Sequence, residues 1–375
     1  MNMRPDMYPH FVEACQSVAE LAALRPGEKI CIMADQGVEP EVIYALFATA
    51  RLAKCTAYLC MIEEYEEWTV PEIIAPAVAQ ADVVFHAWPS AEGAFGKKWR
   101  REKGQRWVGF GDCRTLDKFV GEATRIPQPI LQMIVKKTWA LIDQGEQKFD
   151  IKIWDPNGTD LTLTLSRAEV DHLYLDRRWH GKLIADEPGT RATLPSPHGP
   201  NLFHTGVGVF NETINGTVAY NSMVGLSGAY RGGFGDSTFV EPVKIKVINS
   251  QIVGVEGSWE ANVVRKLTEE GGTIVEIGMG FNPKVASYSG RFTGVAGGGR
   301  SGTLHVATGG SQGEHMDGCL HQPSVTVNGR LLIKRGHLVA LDDPDVQTLA
   351  ESMPLGHEKS WLFEASEERE AQNYR

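Results

Sequence analysis

Two hydrophobic rhythms divide this chain near Phe149, and the change between them constrains the fold more tightly than anything else in the sequence. Before that point, segments with apolar residues at helical spacing alternate with short apolar strands. "PHFVEACQSVAELAAL" (9–24) reads as a helix and "PGEKICIMAD" (26–35) as a turn followed by a strand. "EPEVIYALFATARLAK" (39–54) is a second helix, with Pro40 placed early, where its missing N–H costs nothing. "CTAYLCMI" (55–62) is a second strand and "PEIIAPAVAQ" (71–80) a third helix, followed by strands at "ADVVFHAW" (81–88) and "RWVGFG" (106–111). Strands alternating with helices imply βαβ units and a parallel sheet covered on both faces. No GxGxxG follows the first strand, so a dinucleotide site is unsupported.

From Phe149 the period becomes two. "FDIKIWDPNGTDLTLTLS" reads as two alternating strands around Asn157-Gly158, and "SVTVNGRLLIK" as another pair around Asn328-Gly329, since Asn-Gly accepts the positive φ values of a tight hairpin turn. A helix is expected at "SWEANVVRKLTEE" (258–270), and a long one from about Leu116 to Gln144 that Pro127 and Pro129 must kink or break. The expected organisation is an α/β domain over 1–125, a linking helix over 126–148, and a mainly antiparallel, β-rich catalytic domain over 149–375.

A length of 375 residues suits two domains. The formal charge of −10 argues against a nucleic-acid partner, because phosphate binders concentrate Lys and Arg. The one basic cluster, "KKWRREK" (97–103), reads as a solvated surface. No apolar run is long enough for a membrane span, and the N-terminus lacks a basic-then-apolar signal pattern. Six scattered cysteines without a CxxC pair read as reduced thiols of a cytoplasmic protein.

The chemically suggestive residues crowd into the second half. "GGTIVEIGMGFNP" (271–283) is an apolar strand interrupted by Glu276, and an acid in such a run needs a partner or a metal. "GTLHVATGG" (302–310) repeats the pattern with His305. His315 and Asp317, two apart, share one face of an extended strand. Imidazole and carboxylate within one reach form a chelating pair for a divalent cation, so Glu276, His305, His315 and Asp317 are the candidate metal ligands. Glu314, Glu256 and Glu260 are candidate proton shuttles, and the reading does not separate them. Arg177, Arg178, His198 and His204 are candidate substrate contacts, set against the ordinary reading of surface arginines and loop histidines.

These motifs carry a resemblance. "EIGMGFNP", "GTLHVATG" and "HMDG" followed by "VTVNGRLLIKRG" resemble the metal-binding half of the aminopeptidase T metallopeptidases, cytoplasmic dimers with an α/β N-terminal domain and a β-rich catalytic domain. The resemblance implies metal ligands at Glu276, His305, His315 and Asp317. The family's further glutamate, in an N-L-P-T-G-E-V segment, falls at Val207 of "NLFHTGVGVF", and its tyrosine between the last two histidines is missing from "GGSQGE". One metal rather than two is therefore implied. "ADEPG" (185–189), "GVEGSWEANVVRKL" and "GMGFNPK" are similar to a sister branch, the dihydroxypyridine ring-cleaving dioxygenases, which bind one iron through a histidine and an HxD pair. Glu276 stands where that branch has its first histidine.

The expected function is a mononuclear metal-dependent hydrolase. It would use one divalent ion (Zn, Mn, Co or Fe(II)) and metal-activated water on a C–N bond of a small cyclic or aromatic amide or amine. Glu276, His305 and Glu314 would carry the catalysis. The alternative is a non-haem Fe(II) ring-cleaving dioxygenase, and a third reading is a non-enzymatic subunit whose site has decayed. The partners implied are a small-molecule substrate and a second copy of the chain, with no nucleic acid and no membrane.

Overall fold

The computed structural model describes residues 8–62, 73–87, 102–111, 113–194, 200–204, 213–225, 239–268, 271–285, 299–310, 315–320 and 322–353. Contacts divide the chain into two compact units, Met1–Pro129 with Leu183–His198, and Ile130–Lys182 with Gly199–Arg375.

Among the described residues, the first unit is built on a five-stranded, fully parallel sheet. Its strands are β1 (Lys29–Asp35), β2 (Thr56–Ile62), β3 (Val83–His86), β4 (Arg106–Gly109) and, from much later in the chain, β7 (Arg191–Thr193), in the order β2-β1-β3-β4-β7. All but the first residue of β1 are buried, as expected of an internal strand covered on both faces. Helices Tyr8–Leu21 and Pro40–Leu52 pack against each other, and Val18, Leu21, Val42 and Leu46 join Ile30, Ile32 and Phe85 in the core. Helix Pro40–Leu52 starts on its proline as the spacing predicts, whereas the third helix is shorter than expected, Ala75–Val78. Residues 183–198 depart from the expected division of the chain. The reason is β7, whose backbone adds in parallel beside β4 and completes that sheet.

The expected helix from Leu116 to Gln144 is three helices: Leu116–Phe119, Glu122–Arg125 and Gln128–Ile142. Gly121 separates the first two, and Ile126-Pro127 separates the second from the third. Ile126 takes the extended backbone that a following proline imposes. Pro129 sits in the first turn of the last helix, where no backbone donor is missed.

Among the described residues, the second unit holds a thirteen-stranded sheet. Strands β5 (Lys148–Trp154) and β6 (Asp160–Ser166) alternate buried and exposed residues, the pattern of a sheet wet on one face. Beyond β6 come β9 (Asn215–Tyr220), β11 (Val243–Ile248), β12 (Gln251–Glu256), β13 (Gly272–Met279), β14 (Leu304–Gly310), β15 (His315–Leu320) and β10 (Ser222–Gly225); β8 (Asn201–His204) pairs β13. On the other side, β16 (Ser324–Val327) pairs β5 and is followed by β17 (Arg330–Lys334) and β18 (His337–Leu338). Helix Trp259–Thr268 packs on β12. No helix among the described residues is long and apolar enough to cross a membrane.

The two Asn-Gly turns differ. At Asn328-Gly329 both residues have positive φ (48° and 78°), the tight turn that the dipeptide predicts. Asn328 also ties its turn to β5, donating to the Lys148 carbonyl and accepting from the Asp150 N–H. At Asn157-Gly158 only the glycine has positive φ, and residues 155–159 form the connection. There the Asp155 carboxylate accepts from the Asn157 and Thr159 N–H groups and organises a wider loop.

A charge cluster fastens this unit just beyond the end of β6. Arg167 forks onto Asp143 at 2.7 and 2.9 Å, reaches Asp171, and lies 5.0 Å over the Phe149 ring. Chiefly through the Arg167 hydrogen bond, the Asp143 carboxyl is held below its ordinary pKa, with burial opposing. The contribution is therefore complete above the unfolded value near pH ~4 and is lost as pH falls through the depressed native value. Asp143→Asn is expected to cost on the order of 1–2 kcal/mol at pH 7. In melting curves recorded against pH, that gap should close in acid; a gap constant down to pH ~2 would show that the pair contributes nothing through its charge.

Candidate functional site

The site lies on one face of four neighbouring strands, β8, β13, β14 and β15. Its register is set by the pairings Glu276↔Ala307↔Asp317 and Gly278↔His305↔Cys319. Cross-strand partners point to the same face, so Glu276, Asp317 and His305 share one surface, and His315, two residues from Asp317, joins them. Small residues make the floor. Ala307 separates Glu276 from Asp317, and Gly309 stands opposite His315.

Glu276 reaches this face through a β-bulge. Ile274 pairs with Thr308 but Glu276 pairs with Ala307, so one step on β14 matches two on β13. Simple alternation would point Glu276 the same way as the fully buried Ile274. The extra residue, Val275, turns it to the opposite side.

The two oxygens of Glu276 have different surroundings. Oε1 accepts from Asn201 Nδ2 at 2.6 Å and from His305 Nε2 at 3.0 Å. Oε2 faces His315 Nε2 at 3.7 Å, and that same nitrogen donates to Asp317 Oδ1 at 3.1 Å. His305 can lean across to β13 because Gly278 has no side chain. A Cβ there would fall 2.0 Å from His305 Cε1 and 2.3 Å from Nε2. Asp317 and His305 are 4% and 6% exposed, so their charges depend on these partners rather than on water.

Electrostatics follow from the same geometry. Burial pulls the His305 pKa down, but the Glu276 hydrogen bond and the charges of Asp317 and Glu276 outweigh it and leave the imidazole above its ordinary value, with Arg178 opposing. For His315 burial again pulls down, and the Asp317 hydrogen bond and charge, with Glu276, raise it, His305 opposing. Beneath the strand, the Tyr220 ring occupies the space that a side chain at 318 would need, 2.2 Å from an ideal Cβ on Gly318. Burial, then the Asp317 charge, raise the Tyr220 phenol and the Cys319 thiol, so both are neutral neighbours of that carboxylate.

Glu276, His305, His315 and Asp317 thus come together on one sheet face. His204 lies directly opposite Glu276 in the β8–β13 register. Arg177 and Arg178 share the short 3-10 turn Arg177–His180, and Arg178 forks onto Asp176 while its charge reaches His305. Glu256 is exposed on β12, and Glu260 binds the Val240 N–H and the Ser258 hydroxyl; neither joins the cluster. Glu314 and His198 lie outside the described residues. Sequence reasoning missed Asn201, whose only signal was its place in "NLFHTG", three residues before His204.

The donor set suits a divalent ion. Two atoms that each sit ~2.1 Å from one cation at tetrahedral or octahedral angles are ~3.0–3.5 Å apart; the His315 nitrogen meets Asp317 Oδ1 within that window, at 3.1 Å, and Glu276 Oε2 just beyond it, at 3.7 Å. As they stand, these side chains are spent on one another, so no three His, Cys, Asp or Glu among the described residues form a ready-made cage. His305 Nδ1 is buried with no hydrogen-bond partner among the described residues, a further sign that the cluster is not satisfied by its own members.

No family model matches this chain, and a search among curated proteins finds no relative. Solved structures do share its fold. The 2,5-dihydroxypyridine dioxygenase of Pseudomonas putida KT2440 is similar with a TM-score of 0.56 and 14% identity, over 88% of this chain and 97% of that one. AmpT from Thermus thermophilus is similar with a TM-score of 0.51 and 14% identity, over 88% of this chain and 98% of that one. An N-terminal α/β unit and a mainly antiparallel C-terminal unit are the shared architecture.

The cradle at Gly278 gives a direct test. Gly278→Ala should push the His305 ring off Glu276, so that the imidazole loses its raised pKa and its C–H resonances titrate at lower pH, with far-UV circular dichroism unchanged. An unaltered titration would show that the ring does not depend on that space.

Proposed function

We propose that this chain is a mononuclear metal-dependent hydrolase acting on a C–N bond of a small cyclic or aromatic amide or amine. The observation that carries the reading is the meeting of one imidazole and two carboxylates on one sheet face, His315 Nε2 with Asp317 Oδ1 at 3.1 Å and with Glu276 Oε2 at 3.7 Å. A set richer in carboxylate than in imidazole is hard and anionic, and suits Zn, Mn or Co in a Lewis-acid role. When bound, such an ion supplies activation of water and polarisation of the substrate.

The protein's own groups would divide the remaining work. Asn201 and His305 hold Oε1 of Glu276 and thereby turn Oε2 toward His315, the orienting role that partners of metal-bound carboxylates perform. His315 and Asp317 complete the ligand set. Glu314, adjacent to His315 in sequence, is assigned to moving the proton from water to the departing nitrogen. Arg178 and Arg177 are assigned to an electron-rich oxygen of the substrate, and His204 and His198 are assigned as further substrate contacts. The likeness to AmpT supports a hydrolytic use of this fold, and cytoplasmic residence and a homodimer belong to the same proposal.

One observation favours a second reading. His305 lies within reach of the same carboxylates, and with His315 and Asp317 it would make the two-imidazole, one-carboxylate set of non-haem Fe(II) oxygenases. The likeness to the 2,5-dihydroxypyridine dioxygenase supports this ring-cleaving alternative.

Elemental analysis of anaerobically purified protein, beside Asp317→Ala and His315→Ala, separates the readings. The expected result is about one Zn, Mn or Co per chain, absent from both variants. About one iron would favour ring cleavage, two metals would require a further ligand, and none in any sample would leave the non-enzymatic subunit. His305→Gln should weaken metal affinity by about 10–100-fold if it orients Glu276, and abolish binding if it is itself a ligand. Glu276→Gln should eliminate turnover of small cyclic amides while the melting temperature is retained.

A further inference from the structure

The metal cluster uses none of the cysteines, and two of them lie in the other unit as a pair. Cys31 on β1 and Cys60 on β2 bring their sulfurs to 3.7 Å. The register explains the meeting. Cys31 pairs with Tyr58 and Met33 with Cys60, so the two cysteines sit on one face of adjacent parallel strands, diagonally across the ladder. Cys31 is 2% exposed, whereas Cys60 is half-buried, on the strand that ends the sheet. Tyr58, Leu59 and Met61 on that strand are exposed as well. The other thiols of this unit have different partners: Cys15 donates to the Ala45 carbonyl, Cys55 to that of Arg25, and Cys113 to that of Lys118.

We propose that Cys31 and Cys60 form a two-thiol modification site that closes to a labile, reversible disulfide when a hydroperoxide reaches the edge of the parallel sheet. Cys60, the less buried residue of the pair, attacks as the thiolate. Its sulfur bonds to one peroxide oxygen, the O–O bond breaks, and the second oxygen leaves as an alcohol after taking up a proton. The resulting sulfenic acid lies against Cys31. The Cys31 sulfur displaces the hydroxyl group, the S–S bond forms as the S–O bond breaks, and the hydroxyl departs as water with the Cys31 proton. Two thiols and one hydroperoxide thus become one disulfide, one alcohol and one water.

The assignment of roles follows from environment. Burial, then the neighbouring Cys60, hold the Cys31 thiol far above its ordinary range, so it brings its proton to the second step rather than initiating the first. Lability follows from register: the two cysteines are diagonal neighbours rather than direct partners, and a diagonal span of ~7–8 Å exceeds that of a relaxed disulfide, so the bridge is more easily reduced. β2 can give because it is held by β1 on one side only among the described strands.

The test is a thiol count and peptide map of the full chain after exposure to tert-butyl hydroperoxide, with and without subsequent millimolar glutathione. Two of the six thiols should disappear, the peptides carrying Cys31 and Cys60 should be joined, and glutathione should restore all six. Cys60→Ser, at the half-buried position, should lose no thiol pair while keeping the fold. Cys31→Ser should divert Cys60 to a sulfinic acid. Six intact thiols, a bridge between other cysteines, or Cys60 overoxidised beside a free Cys31 in the unaltered protein would each overturn the proposal. A bridge that resists glutathione would overturn its lability.

Discussion

Two carboxylates enclosed on one sheet face impose the constraint that the rest of the second unit satisfies. An ionised carboxylate out of water is costly unless donors and opposite charges surround it. Glu276 receives Asn201 and His305 on one oxygen and faces His315 with the other, and Asp317 receives His315. Each of these contacts requires something of the backbone. His305 needs the empty place at Gly278, and Tyr220 needs the one at Gly318. Glu276 needs the bulge at Val275 to leave the side it would share with Ile274. The glycine-rich character of β13 to β15 therefore serves side chains that cross over neighbouring strands.

The two units bury their strands by different physics. In the parallel sheet the internal strand β1 is buried almost throughout, whereas Tyr58, Leu59 and Met61 of β2 are exposed. In the large antiparallel sheet one face of β5 and β6 is wet. That architecture lets a strand carry apolar residues on one side and ionisable ones on the other, so a site can be assembled from the middle of strands rather than from their ends. A dioxygenase from Pseudomonas putida and AmpT from Thermus thermophilus share this fold, and a fold by itself does not fix a chemistry.

Periodicity made most of the architecture legible. The helix-strand alternation before Phe149 and the period of two after it correspond to the two sheets, and Asn328-Gly329 turns as its dipeptide requires. The failures have local causes. The expected long helix after Leu116 is broken at Gly121 as well as at Pro127, since glycine in a helix interior is weak and here ends one turn and begins the next. The turn at Asn157 widens because Asp155 supplies its own acceptors to the backbone. The strand Arg191–Thr193 is too short to announce itself, and its place beside β4 comes from a return of the chain across the 81 residues between Gly109 and Arg191.

By itself the sequence determined the types and near-neighbour spacing of the reactive groups. His315 and Asp317 share a face because an extended chain repeats every two residues, and Glu276 and His305 stand out because charge in an apolar run demands compensation. Only the tertiary structure decided which groups compensate which. Pairing β13 between β14 and β8 brings Asn201 and His305, seventy-five and twenty-nine residues from Glu276, onto the same oxygen. The bulge then selects the face. Strand register and a one-residue insertion are properties of paired strands, and no single strand's sequence carries them.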